Sequence, residues 1–347
     1  MKDLNNKIRW YFKHKREKKR ALIALKKIES VKGTTNPKLI KLSNEYAKNV
    51  LGSKVYAPWL YVYSAMQNEF KEGWIPDNYY KKEVVPKLKG DYVPLADRNF
   101  ITPKLFPNIE TLNLAYFINR KFIANDNTVI EPDNIKNYLF NSNDKIVYKL
   151  ENSQSGKGIH IFSKEDFNVF QFMSLKTSNG VFQIFIEQHS FFSQFTDNSV
   201  TTIRITTVSD NNGEISVRAA YARIARDHET HVKSSSAISV SIDLMSGKLH
   251  RTGYMNWVET SEHPDTKVCF YDKEIPYFEK LKTVALNLHS KIPFMSCVGW
   301  DLTIDKNNKV QLIEWNGKNN DIKFSEATTG PCFINLGWEN LWKEINN

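Results

Sequence analysis

The stretch VGWDLTIDKNNKVQLIEWN, Val298 to Asn316, decides how the rest of the chain is read. Two apolar runs, Val298 to Ile304 and Lys309 to Trp315, flank Asp305-Lys306-Asn307-Asn308, a turn-forming composition, and together they predict a β-hairpin. With an even number of loop residues, Thr303 faces Val310, Asp301 faces Leu312 and Gly299 faces Glu314, because residues directly opposite share a sheet face. Asp301 and Glu314 then lie on one face. Asn316 joins them, since side chains alternate along a strand. Two carboxylates and an amide oxygen on a rigid sheet are hard ligands, suited to Mg²⁺ held by a few protein groups and by substrate phosphates. Taken alone, the hairpin also reads as a solvated polar face.

Length and composition set the frame. The 347 residues, 41% hydrophobic and 25% charged, suffice for two or three folded subdomains. No run of about 18 apolar residues exists, and the basic N-terminus lacks an apolar core with a cleavage site, so a cytoplasmic protein is expected. Cys269, Cys297 and Cys332 are far apart and form no CxxC, which suggests three buried thiols rather than a disulfide or zinc framework. His228 and His231 have helical i, i+3 spacing but no third ligand nearby.

The net charge of +10 is concentrated. Residues 1–27 hold eleven Lys or Arg against Asp3 and Glu17, a net +9, and leave the remaining chain almost neutral. This argues against a nucleic-acid groove across the fold and for one basic segment. Residues 4–30 read as a helix, with Ile8, Tyr11, Phe12, Leu22, Leu25 and Ile28 spaced by turns and KHKREKKR (Lys13 to Arg20) interrupting the apolar face. Such a segment is either a solvated helix or a peripheral contact with anionic lipid.

Further along, Gly33 to Pro37 reads as a loop and Lys38 to Leu51 as a helix. FKEGWIPDNYY, Phe70 to Tyr80, reads as an ordered corner, since Gly73 and Pro76 break a helix. Short strands replace helices near Pro94, which sets a basic helical region (1–94) apart from the rest of the chain. KIVYKL, Lys145 to Leu150, alternates as a strand and leads into ENSQSGKG, Glu151 to Gly158, before a further strand, Ile159 to Phe162. A small Gly- and Ser-rich loop of this kind offers backbone N–H groups to an anion, although it is not a Walker loop. Val181 to Glu187, Ser199 to Val208 and Ser216 to Ile224 are three more strands. The last two carry Arg204, Arg218 and Arg223, and Arg204 in mid-strand is either at a sheet edge or bound to an anion.

In this order, FKEGWIP, the strand with Lys149 and its glycine loop, FIEQ (Phe185 to Gln188), TIRITT (Thr202 to Thr207), HPDT (His263 to Thr266) and GWDLTI followed by LIEWN resemble the sugar-transfer-associated ATP-grasp family. The resemblance implies an α+β, ATP-grasp fold in which a lid subdomain (within 95–187) and a core subdomain (188–347) clasp ATP between antiparallel sheets, preceded by a helical N-terminal region (1–94). It further implies Lys149 on the α-phosphate, Gln154, Ser155, Gly156, Lys157 and Gly158 over the β- and γ-phosphates, and Glu187 at the hinge beside adenine and ribose. Arg204 and Arg223 would stabilise the transferred phosphoryl group, and Asp301, Glu314 and Asn316 would hold Mg²⁺. An early lysine of the family is replaced by Arg98, with Lys104 as the other candidate cation. The Asn and paired glycines expected after Arg223 are replaced by Lys233-Ser234-Ser235-Ser236-Ala237.

The implied reaction is ATP-dependent carboxylate–amine ligation through an acyl phosphate, acting on a sugar or sugar acid and an amine in surface-polysaccharide assembly, beside a glycosyltransferase. Alternatives are phosphoryl transfer to a sugar hydroxyl, or a non-catalytic binding module using the basic arm. Neither ligase nor kinase needs a protein nucleophile, in keeping with the lack of a Ser/His/Asp or Cys/His constellation.

Overall fold

The computed structural model describes residues 2–107, 109–151, 153, 158–174, 179–318 and 320–343. The N-terminal region is helical. Helix α1 (Lys2–Lys32) lays Ala21, Ala24, Leu25 and Ile28 against α3 (Ala57–Gln67), while α2 (Pro37–Asn49) starts with the Asn36 side chain accepting from the Lys38 N–H. The sequence of α3, APWLYVYSAMQ, is apolar nearly all round, and the helix is buried accordingly. Phe70 to Pro76 is the expected corner, and the chain turns helical again from Asp77. Among the described residues no helix is long and apolar enough to cross a membrane.

A six-stranded antiparallel sheet follows, built from β1 (Asn113–Ile118), β2 (Lys121–Ala124), β3 (Val129–Ile130), β4 (Lys145–Leu150), β5 (Ile159–Ser163) and β6 (Gly180–Ile184), in the order β3-β2-β1-β6-β4-β5. Its core is aromatic: Phe117, Phe122, Tyr148, Phe167, Phe172 and Phe182 pack together in edge and tilted pairs. Strand β6 ends at Ile184 rather than Glu187. Segment 185–188 leaves the sheet and docks on the second one, where the Lys306 N–H donates to the Glu187 carbonyl at 2.8 Å and Gln188 bridges Asp305.

The second sheet has seven strands: β7 (Thr202–Ser209), β8 (Ile215–Ile224), β9 (Ile238–Ile242), β10 (Leu249–Met255), β11 (Val258–Thr260), β12 (Cys297–Ile304) and β13 (Val310–Asn316), ordered β11-β10-β9-β8-β7-β12-β13. Alternation sorts its two faces. Ile203, Ile205, Trp300 and Leu302 pack with Phe278, Leu281, Ala285 and Leu288 of the helix Phe278–Ser290, so Arg204, Thr206, Asp301 and Thr303 point the other way. A chain of polar groups crosses this core, with Trp300 Nε1 donating to Thr207 Oγ1 (2.7 Å) and Thr207 paired with His289 Nδ1 at 2.7 Å.

The hairpin forms, but in another register. Ile304 rather than Thr303 opposes Val310, and Leu302 rather than Asp301 opposes Leu312. The Asp305 carboxylate accepts from the N–H groups of Asn307 and Lys309, drawing Lys309 into the turn and making the loop odd-numbered. A bulge at Ile313 then restores a direct opposition of Asp301 to Glu314 and of Gly299 to Asn316. Two further expectations are corrected. His228 and His231 lie in an irregular segment between β8 and β9, where no helix sets their spacing, and Cys269 is exposed, whereas Cys297 is buried and Cys332 partly so.

Candidate functional site

Register aligns Ser241, Tyr221, Arg204, Asp301 and Glu314 in one transverse row over β9, β8, β7, β12 and β13. Arg204 is not at a sheet edge: β7 lies between β8 and β12, and its guanidinium meets the protein's own carboxylate. Nε donates to Asp301 Oδ1 at 2.5 Å, Nη2 to Oδ2 at 2.8 Å, and Nη1 to the Asn320 carbonyl at 3.0 Å. Gly299 leaves room for this arrangement, since a Cβ there would stand 3.3 Å from Arg204 Cδ. Arg223 Nη1 approaches Asp301 Oδ2 at 3.8 Å and its Nη2 donates to Ser234 Oγ at 3.3 Å, so the serine run that departs from the family pattern touches this arginine.

The two carboxylates sit in different fields. Burial alone would raise Asp301, but Arg204 and Arg223 hold it below the usual aspartate range. Glu314 is pushed up, first by its depth in the cleft and then by the Asp301 charge beside it, although its side chain still reaches solvent. Asn316 Nδ2 donates to both, at 3.4 Å to Asp301 Oδ2 and 3.5 Å to Glu314 Oε1. From the opposite sheet, Lys149 on β4 lies within electrostatic reach of both acids: burial lowers its pKa, and Glu314 and then Asp301 raise it. Lys149 of the six-stranded sheet is thus coupled electrostatically to the acid row of the seven-stranded sheet. Beside Glu314 a small pocket of about 30 Å³ lies between Asn113 and Gln183 on one side and Leu312 and Trp315 on the other.

The remaining candidates are less central. Glu187 is exposed and pairs with Lys306 at 2.7 Å. Lys104 donates to Asn127 Oδ1 at 2.9 Å and sits over the Phe100 ring, while Arg98 pairs with Glu151 at 3.4 Å. Gln154, Ser155, Gly156 and Lys157 lie outside the described residues. Gly158 closes their loop, its carbonyl accepting from the Leu150 N–H at 2.9 Å and its φ of +82° suiting glycine.

The family assignment now has its structural setting, because a sequence model described as sugar-transfer associated ATP-grasp matches residues 96–336. The chain belongs to this ATP-grasp family. No curated protein matches it. Solved structures similar to it include the ATP-grasp ligase PsnB complexed with a phosphomimetic variant of its minimal precursor, Mg and ADP (9% identity, 74% of this chain and 62% of that one, TM-score 0.43). The D-alanine-D-alanine ligase from Coxiella burnetii is 10% identical over 74% of this chain and 53% of its own, with a TM-score of 0.36. N5-carboxyaminoimidazole ribonucleotide synthetase from Thermotoga maritima is 9% identical over 75% and 54%, TM-score 0.38. The chain spans 53–62% of the length of these solved relatives, and likenesses this remote carry no argument about its chemistry.

For an ATP-grasp protein, FKEGWIP lies before the matched residues, and the structure accounts for it separately. Glu326, fully buried, accepts from the Ile75 N–H through Oε2 and from the Cys332 N–H through Oε1, both at 2.7 Å, stitching this corner to the helix Ile322–Thr328. Lys89 is buried likewise, donating to Tyr80 OH at 2.6 Å and to the Gly317 carbonyl at 2.7 Å just past β13. Neither role is signalled locally, because the Ile75 N–H lies 251 residues from Glu326 and the Gly317 carbonyl 228 residues from Lys89.

Asp301, Glu314 and Asn316 fit a magnesium ion chemically. Asp301 and Glu314 bring carboxylate oxygens, Asn316 would add its Oδ1 once the amide that here donates Nδ2 to both acids is turned, Glu314 is exposed, and the repulsion that raises Glu314 is what a dication would relieve. Among the described residues no group of three or more His, Cys, Asp or Glu gathers to hold a metal, so further ligands would come from substrate phosphates.

Proposed function

We propose that this ATP-grasp protein is an ATP-dependent carboxylate–amine ligase. The observation that supports the reading best is the juxtaposition of Lys149, on the six-stranded lid sheet, with Glu314 and Asp301, on the seven-stranded core sheet. Lys149 would bind and orient the triphosphate, while Arg204 fixes the Asp301 carboxylate and Arg223, on the accessible side of Asp301, meets the transferred phosphoryl group. Bound at Asp301, Glu314 and Asn316, Mg²⁺ would neutralise phosphate charge during transfer. A substrate carboxylate takes the γ-phosphoryl group, ADP leaves, and an amine displaces phosphate from the acyl phosphate to form an amide. The family description directs attention to sugars: a sugar or sugar acid and an amino acid or amine in cell-surface polysaccharide synthesis are the proposed substrate class.

The test is mass-spectrometric product analysis with ATP, Mg²⁺ and a panel of sugar acids and amines. An amide product supports the ligase. A phosphorylated alcohol with no amide would refute it in favour of a kinase.

A further inference from the structure

Helix α1 has two faces with different duties. Its inward face holds Ala21, Ala24, Leu25 and Ile28 in the core, and His14 and Glu17 continue that side, His14 meeting Tyr56 edge-on and Glu17 pairing with Lys81 at 3.3 Å. On the opposite side Ile8, Phe12, Lys15, Lys19, Ile23 and Lys26 recur every three or four residues and therefore share one face, about 27 Å long. All six are exposed, and Phe12 and the neighbouring Tyr11 are among the most exposed aromatics of the fold at 62% and 64%.

The charge on that face is one-sided. Between Lys7 and Lys27 the single acid is Glu17, which is turned inward and buried, so the outward face carries bases and apolar side chains and no carboxylate. We infer that this outward face of α1 is a docking surface for an anionic lipid bilayer, lying in the interface plane with Phe12, Tyr11, Ile8 and Ile23 inserted among acyl chains and the lysines on the headgroups. Lysine stems reach along an apolar surface while their ammonium groups stay in the polar layer, which permits bases and apolar residues to share one face. A nucleic acid would engage the bases but leave Ile8, Phe12 and Ile23 in water. The surface is formed by a helix packed on the fold and not by a free arm, and it stands independently of the ligase reading.

The full chain is sedimented with vesicles of phosphatidylcholine alone and of phosphatidylcholine mixed with phosphatidylglycerol. Binding is expected to the mixed vesicles, weakening as salt rises, and not to neutral ones. Lys15→Gln with Lys19→Gln should lower affinity about 30-fold, at about fivefold per base removed, and Phe12→Ser with Ile23→Ser at least about tenfold with the salt dependence retained. Because these side chains are exposed, both variants should melt with the parent. No binding, equal binding to both vesicle types, or full binding by either variant overturns the inference. So does tighter binding to a DNA or RNA duplex that responds to the lysine variant alone.

Discussion

Replacing Arg204 by methionine tests the central electrostatic claim. Arg204 supplies two short charge-assisted hydrogen bonds to Asp301 and one to the Asn320 carbonyl, in a site where both side chains are almost wholly enclosed. Methionine keeps most of the volume but leaves Asp301 with Arg223 at 3.8 Å and the Asn316 amide at 3.4 Å. Stranding a buried charge in this way costs about 3–5 kcal/mol. Removing the charge as well, in Arg204→Met with Asp301→Leu, should recover at least half of that loss, because the penalty arises from the unpaired carboxylate rather than from the missing pair. Urea unfolding followed by tryptophan fluorescence, for both single variants and the double variant, measures the coupling. A loss under about 1 kcal/mol for Arg204→Met, or a double-variant loss equal to the sum of the singles, would show that Arg204 is not the counterion of Asp301. The first result would return Arg204 to direct phosphate contact, a role that costs turnover and little stability.

Glu314→Gln should lower turnover about 10²- to 10³-fold while leaving the melting temperature equal or higher, since Glu314 is held against the Asp301 charge; calorimetry and ATP turnover on one preparation check this, and near-parent turnover refutes it. Lys149→Ala should weaken binding of a non-hydrolysable ATP analogue by about 1.5–3 kcal/mol in a calorimetric titration, whereas changes at His228 and His231 should leave affinity unaltered. Glu326 is pushed up to about 8 by burial, so its protonated form is favoured in the fold: stability should be fullest below about pH 4.5 and fall by about 1.4 kcal/mol per unit as pH rises towards 8. Unfolding curves across that window should be flatter for Glu326→Gln, and an unchanged slope would remove the assignment. Deleting residues 1–27 should unfold the N-terminal region, because Ala21, Ala24 and Leu25 leave the core, and Leu25→Ala alone should cost about 2–5 kcal/mol by thermal denaturation.

Local signals in the chain determined a good deal by themselves. Period-two alternation in KIVYKL placed β4, a β-branched run in TIRITTV and an apolar run in GWDLTI placed β7 and β12, which are buried on both faces, and the acids of GWDLTI and LIEWN fell on a common face. Composition also located the basic charge in α1. The tertiary structure decided what those residues meet. Register depended on Asp305 drawing Lys309 into the turn and on the bulge at Ile313, two features that shift pairing by single residues and leave hydrophobic pattern intact. Arg204 read as an edge residue or an anion ligand, and the carboxylate it meets belongs to a strand nearly a hundred residues away, while Glu326 found the Ile75 N–H across an even longer separation. Helix α1 read as an arm until the fold showed Ala21 and Ala24 seated on α3, for alanines at helical spacing carry too weak a pattern to announce which face is buried. Pattern in a sequence reports the face a residue takes, while the partner on that face is chosen by chain segments that only folding brings together.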